Sequence, residues 1–443
     1  MSKLKYQVNS DLTNNRTTSE RNDPGFLINA YLGILALVLA AGGISWCLRE
    51  KVFLGNSDFT IFLTAARMLI RYPASSLYDL ELQARVQREI LGGYALAGGL
   101  LPFNHTPIEA FIFLPLGFFS YTVAFTVWLS INLALIFLLP PILMKTGIIR
   151  GQPNGLTIWL ATLSFYPFLV CLWQGQDSIL YLWMMIAFYL MFLRGQDLRA
   201  GIFLSLAFVK FHLVYLFVIP LIVKRRYRAL AGLTAGLIVL TVISSLIVGL
   251  HGIKTYGEAL LQMSGEGARL GFFPGKMQNM AGQLWILGFQ GARGLRGSLV
   301  LALAGAGAMV TIWKIRESSP HEWVFKARFA ASILVAILVS PHSYLHDLAP
   351  VFLSLTLSLP LLQLKLKQWY LIVLVCILLL SPLVWIYSIP MAAITGVQTS
   401  VILMSTLTLL LMKILHSCGD VVSLFEEGTE NGLTITTRND RPQ

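Results

Sequence analysis

The chain has 443 residues, of which 56% are hydrophobic and only 12% charged, with a formal charge of +12 and a mean hydropathy of +0.71. Soluble domains carry about 25% charged residues. Long apolar runs recur along nearly the whole length, so the composition defines an all-α polytopic membrane protein and excludes a soluble one. The basic residues cluster between apolar runs, as cytoplasmic membrane loops do. No basic–aromatic module is present, which excludes nucleic acid as a partner. Cys47, Cys171, Cys376 and Cys418 are scattered without a C-x-x-C pattern. They read as packing residues, and suggest neither a metal site nor a disulfide framework.

Residues 1–25, rich in Asn, Thr, Ser and Arg, read as a disordered cytoplasmic tail. Phe26 to Leu48 is long enough to span and reads as an uncleaved anchor. The loop from Arg49 to about Thr106 is the first large non-membrane segment. Within it Phe59, Phe62, Leu63, Ala66, Leu69 and Ile70 recur at helical spacing, with Thr60, Thr64, Arg67 and Arg71 on the other side. This predicts an amphipathic helix in the interface plane, its apolar face toward lipid, capped by Ser57 or Asp58. A second helix is predicted from Asp79 to Leu91. Gly92-Gly93 and Gly98-Gly99 then break the chain before Pro102–Pro107.

Candidate spans follow at 107–119, 121–144, 156–173, 177–193, 200–222 and 229–250. A second long loop is predicted from His251 to Arg296. The last spans are predicted at 297–315, 328–340, 347–363, 369–388 and 391–412, before a polar tail from Lys413. The count is 12. With 12 spans, the basic clusters at 224–228, 314–328 and 365–367 fall on the cytoplasmic side with both termini. The Asp58 loop, the 251–296 loop and the stretch Ser340 to Asp347 fall together outside. The same count puts Gln174-Gly175-Gln176-Asp177 inside and Arg194 and Arg199 outside. If those two arginines are instead inside, 200–222 must be a hairpin of half-helices with Lys210 near its apex. Broken helices are allowed where they line a cavity.

Ionisable residues inside spans are costly and mark function by default. Lys210 in Phe208-Val209-Lys210-Phe211-His212 lies about ten residues from either end of its run. It is either a snorkelling lysine or an ammonium for a phosphate. His342, His346 and Asp347 sit at the outer end of a span beside a proline. They form either an interfacial polar cluster or a site for a phosphate or hydroxyl; no third metal ligand is evident. The second loop holds Lys254, Arg269, Lys276, Arg293 and Arg296 against Glu258 and Glu266. This is either an unremarkable long loop or an outer site for an anionic head group. Amides at Gln278, Asn279 and Gln283 could bond sugar hydroxyls. Asp58 alone is either a helix cap or a catalytic carboxylate.

Taken together, these residues resemble a known family. Ser57-Asp58-Phe59, Ala65-Ala66 and Leu77-Tyr78-Asp79 resemble the first outer loop of glycosyltransferase family 87. The likeness continues through Thr106-Pro107, Pro115-Leu116, Gly175-Gln176, Ala200-Gly201, Lys210, Arg225–Ala229, Gln278-Asn279 and Ser340-Pro341 to His346. It covers about residues 50 to 350. Departures are His105 for the usual Tyr, Phe211 for Pro, and Asp347 for a second His. The resemblance implies a GT-C-type fold of about 12 transmembrane helices, with an outer-face loop carrying interfacial helices. Its domain would run from 26 to 412, with 49–106 and 251–296 as outer loops and 413–443 as a cytoplasmic tail. It further implies an inverting hexosyltransferase in the plasma membrane, with mannose the default sugar and Asp58 the general base. The partners would be a polyprenyl-phosphate sugar donor, a lipid or glycan acceptor, and membrane lipids. Lys210, His346, His342, Arg269, Asn279 and Gln176 would bind the donor's phosphate and sugar. No cofactor or metal is needed if side chains take the phosphate charge. The chemistry agrees with the role of Asp58: outside the membrane there is no nucleotide-sugar pool, so the sugar must arrive on a lipid carrier. One carboxylate then removes the acceptor's proton. The competing classes are a secondary transporter, which favours internal repeats that this chain lacks, and a flippase or structural subunit for envelope assembly.

Overall fold

A computed structural model describes residues 24–93, 99–149, 155–266, 274–315, 322–358 and 369–416. Every regular element among these is helical. Among the described residues, six helical stretches are long and apolar enough to cross a membrane: Ile28–Arg49, Tyr121–Lys145, Asp197–Val223, Tyr227–Gln262, Arg293–Lys314 and Thr399–His416. Two bent pairs, Gly155–Ser164 with Tyr166–Gln174 (50°) and Leu374–Leu380 with Pro382–Thr395 (82°), raise the number to eight. Among the described residues, length and composition thus give six to eight candidate spans against twelve apolar runs in the sequence, and one of them, 197–223, does not cross. The run at 328–340 falls in Glu322–Leu338, a 17-residue helix buried from Lys326 to Leu338 without a break. A helix covered on every side is a protein core, and this one packs against the terminal Thr399–His416 helix. The run at 391–412 is broken at Gly396, and its span begins at Thr399.

The stretch 197–223 settles the ambiguity over Arg194 and Arg199. The Asp197–Ala207 helix packs along the start of the Tyr227–Glu266 helix, running in the same direction. A Cβ on Gly201 would strike the Ala229 carbonyl, one on Gly232 the Leu198 carbonyl, and one on Gly236 the Ser205 hydroxyl. At the shared end, Arg226 Nη1 pairs with Asp197 Oδ1 at 3.2 Å. The chain leaves this end at Asp197 and is back at it by Arg226, so 197–223 is a hairpin and not a crossing. The turn-back is made by 3-10 segments at Phe208–Lys210 and Tyr215–Phe217 around the short Phe211–Val214 helix. Lys210 sits near the tip, 3% exposed. Such irregular backbone survives at membrane depth only inside protein.

The first outer loop forms a second core of its own. The Phe59–Arg71 helix ends at Tyr72, held extended ahead of Pro73. The second predicted helix is present as Leu80–Ile90, and Asp79 caps it through the amides of Glu81 and Leu82. The interfacial orientation of Phe59–Arg71 is not observed. Phe59, Phe62, Leu63, Ala65 and Ala66 are fully buried, and so are Thr60 and Thr64 from the face expected to be polar. Phe62 stacks on Phe113 at 4.4 Å, and Phe59 meets Phe125 edge-on at 5.5 Å. The helix is wrapped by protein because the Pro107–Phe113 helix and the Tyr121–Lys145 span cover its apolar side. The loop predicted from His251 is also partly helical: the Tyr227–Glu266 helix runs on past a kink at Gly249 (φ 68°, ψ 175°). Its extension touches the first loop, where Tyr78 and Tyr256 lie 4.6 Å apart.

Candidate active site

Asp58 stands at the start of the Phe59–Arg71 helix but does not cap it, since its side chain makes no bond to the first-turn amides. Nor does Ser57, whose Oγ lies 2.6 Å from the Tyr121 hydroxyl. The Asp58 carboxylate is 26% exposed. Its Oδ2 accepts from Gln176 Nε2 at 2.8 Å, and among the described residues Oδ1 takes no hydrogen bond. His346 Nδ1 lies 3.9 Å from the same Oδ2. That is an ion-pair distance if the ring is charged, and too long for a hydrogen bond.

The turn 174–177 brings these groups together. Gly175 takes a left-handed φ of +64°, ends the Tyr166–Gln174 helix and offers its carbonyl to Trp128 Nε1 at 2.9 Å. A Cβ there would lie 2.7 Å from Phe59 Cβ, so only glycine lets the turn approach the base of Asp58's helix this closely. On either side of it, Gln174 Oε1 meets His346 Nδ1 at 2.7 Å and Gln176 reaches Asp58. With Gln174 Oε1 as the acceptor, Nδ1 carries the proton. The Cys171 thiol donates to the His346 carbonyl at 3.2 Å. This turn therefore lies on the Asp58 side of the protein. The twelve-span count put Gln174 to Asp177 on the opposite side from Asp58, whereas the hydrogen bonds of Gln174 and Gln176 bring the turn to the Asp58 site.

Beneath Asp58 lies a buried ionic cluster. Lys210 Nζ is 2.9 Å from Asp177 Oδ1 and 3.0 Å from Asp347 Oδ1. Asp347 Oδ2 accepts the Tyr344 amide at 3.0 Å and lies 3.6 Å from His346 Nε2. Burial by itself would raise the Asp177 carboxyl, but the Lys210 ammonium and the His105 ring together hold the group below the usual carboxylate range. Next to this cluster, His105 Nδ1 pairs with Glu109 Oε1 at 2.7 Å. Burial opposes charge on the His105 ring, yet the Glu109 carboxylate prevails and raises its pKa. Glu109 and Asp177 line one cavity of about 10 Å³, room for roughly one water.

The residues assigned to the donor from sequence fare differently. His346 reaches the Asp58 site. Lys210 reaches it only at one remove: two carboxylates already hold its ammonium, so it is not placed as a free cation for a phosphate. Gln176 spends its amide on Asp58, while its Oε1 is buried without a partner among the described residues. Asn279 uses both ends in the protein: Nδ2 donates to the Ser340 carbonyl at 2.7 Å, and Oδ1 caps Met280–Ile286. His342 stacks edge-on against Tyr344 at 4.7 Å and His212 at 5.5 Å. Burial pushes its pKa down to about 4, despite the Asp347 carboxylate. Arg269 lies outside the described residues. The sequence reading gave Gln174 and Glu109 no role. Their signals were a polar Gln-Gly-Gln-Asp turn between apolar runs, and a carboxylate four residues after His105 in an apolar helix.

A helical, multi-pass membrane protein with a half-open carboxylate beside an imidazole and a buried ion cluster has the outline of a membrane-embedded group-transfer enzyme. The profile of glycosyltransferase family 87 matches residues 103–341, more than half of the chain. No curated protein and no solved structure matches it. The chain belongs to glycosyltransferase family 87: it is a membrane glycosyltransferase, with a sugar donor and an acceptor as its substrates, and membership implies the GT-C membrane fold. The matched segment holds His105, Glu109, Gln174, Gln176, Asp177 and Lys210, while Asp58, His346 and Asp347 flank it. Among the described residues, no group of three or more His, Cys, Asp or Glu side chains is arranged to hold a metal ion.

Proposed function

We propose that the enzyme transfers a hexose, with mannose the default, from a polyprenyl-phosphate carrier to a lipid or glycan acceptor on the outer face of the plasma membrane. Asp58 is the general base. The observation that carries this reading is the state of that carboxylate: it starts a helix without capping it, one oxygen is held by Gln176, and the other is left for a hydroxyl. The acceptor hydroxyl gives its proton to Asp58 as its oxygen attacks the anomeric carbon. The sugar–phosphate bond breaks on the opposite face, polyprenyl phosphate leaves with the electron pair, and the anomeric centre inverts. In this reading His346, beside Asp58, orients the departing phosphate, and Arg269 of the outer loop meets its charge. The outer location rests on charge: Arg194, Arg199, Arg225, Arg226 and Arg228 gather at the end of the hairpin away from Asp58.

The test is sugar transfer from radiolabelled polyprenyl-phosphate sugars in membranes. Asp58→Asn keeps the shape and can still accept from Gln176, but it cannot take a proton. Loss of a positioned base lowers kcat about 10²- to 10⁴-fold. Full activity in Asp58→Asn would remove Asp58 as the base. Transfer from a nucleotide sugar and not from the lipid-linked one would remove the donor class.

A further inference from the structure

Lys210 is the most buried cation near the site, and its charge is already committed. It faces two carboxylates at hydrogen-bond distance, Asp177 and Asp347, whose side chains are 7% and 2% exposed. One ammonium against two carboxylates leaves a local excess of negative charge, which repels a phosphate. The two carboxylates are also not arbitrary partners. Asp177 follows Gln176, which holds the Asp58 carboxylate, and Asp347 follows His346, which stands beside that carboxylate. A displacement of either aspartate is carried by one peptide unit to a group facing Asp58.

We propose that Lys210 is a positioning residue: at the tip of the re-entrant hairpin it clamps the 174–177 turn to the 344–348 turn, and so sets Gln176 and His346 about the base. Other bonds run between the same two turns, Gln174 to His346 and Cys171 to the His346 carbonyl, but neither carries a full charge pair. The hairpin has a reason to end here. Its 3-10 tip leaves the regular helix bonding pattern, and a charge-assisted contact in low dielectric is the strong interaction that can seat it.

The inference rests on Asp58 being the base, and the experiment separates the two. Lys210→Met alone strands two buried carboxylates and is expected to fold poorly. The decisive variant is Lys210→Met/Asp177→Asn/Asp347→Asn, which removes the cluster's charge at nearly constant volume. Rates are measured per folded enzyme, with polyprenyl-phosphate sugar as the varied donor, across a pH range. A lost clamp lowers kcat tenfold or more, keeps the donor KM within about threefold, and moves the acid limb of the kcat profile to lower pH, because net negative charge near Asp58 has gone. A donor KM raised tenfold or more would mean that Lys210 holds the phosphate after all. A kcat within threefold of wild type, or an unmoved limb, would overturn the clamp. Asp58→Asn is run alongside. If it is active, the base is wrong; if it is inactive while the triple variant behaves as wild type, only the clamp is wrong.

Discussion

Gly175→Ala tests the geometry of the site without touching a polar group. The native φ of +64° costs a residue with a Cβ about 1 to 2 kcal/mol. The new methyl would also stand 2.7 Å from Phe59 Cβ and 3.0 Å from Phe125 Cε2. Both atoms are in side chains fully or almost fully buried, so they cannot swing away, and overpacking of this kind costs about 1 to 3 kcal/mol. Together the variant is destabilised by about 2 to 5 kcal/mol. Alternatively, the turn backs away from Phe59 and takes Gln176 with it, and a misplacement near 1 Å at a reacting centre costs about 10²-fold in rate. The assay is thermal unfolding in detergent together with transfer rate per folded enzyme. Gly195→Ala is the control: its φ is +67°, but a Cβ there meets nothing within 4 Å, so it carries the backbone strain alone. Wild-type stability and rate in Gly175→Ala, or equal losses in both variants, would refute the claim that Gly175 exists to bring the turn onto Asp58's helix.

Two further outcomes are expected. Gly201→Ala should cost about 1 to 3 kcal/mol, because its Cβ would meet the backbone of Ala229 and Leu233, and the hairpin must then part from the following helix; thermal unfolding that matches wild type would argue against that contact. Stability should also fall as pH drops from about 6.5 toward 4, because a half-buried His342 with its pKa near 4 stays neutral while the unfolded chain takes up a proton. The contribution is complete above that window, and His342→Asn should flatten this part of the profile; unfolding temperatures that fall equally in both proteins would assign the slope elsewhere.

How much of this was legible in the chain depends on the range of the interaction. The positions of the two outer-loop helices are local, fixed within a few residues by helical spacing, and they were predicted correctly, whereas the cap expected from Ser57 or Asp58 on the first is not made. Which way the Phe59–Arg71 helix faces was not local, since the aromatic residues that cover it come from 113, 125 and 128. The pairing of Gln176 with Asp58 spans 118 residues, and nothing in either segment announces the other. Lys210 is the instructive case. Its sequence context marked it as either a snorkelling lysine or an ammonium for a phosphate, and offered the hairpin only as one of two courses for its segment; the structure takes the hairpin. The context did not identify the counter-ion, because the charge of a buried lysine can be met by a ligand or by the protein, and only the fold shows Asp177 and Asp347 on either side of it. Asp347 stands where the resembled family usually has histidine, and that exchange gives the ammonium its second carboxylate. With its ammonium held by two aspartates, Lys210 is committed to the scaffold, and under the proposed mechanism the phosphate's counter-charge must come from elsewhere, the basic outer loop being the candidate. That is why the proposed clamp and the proposed leaving-group contact fall on different residues.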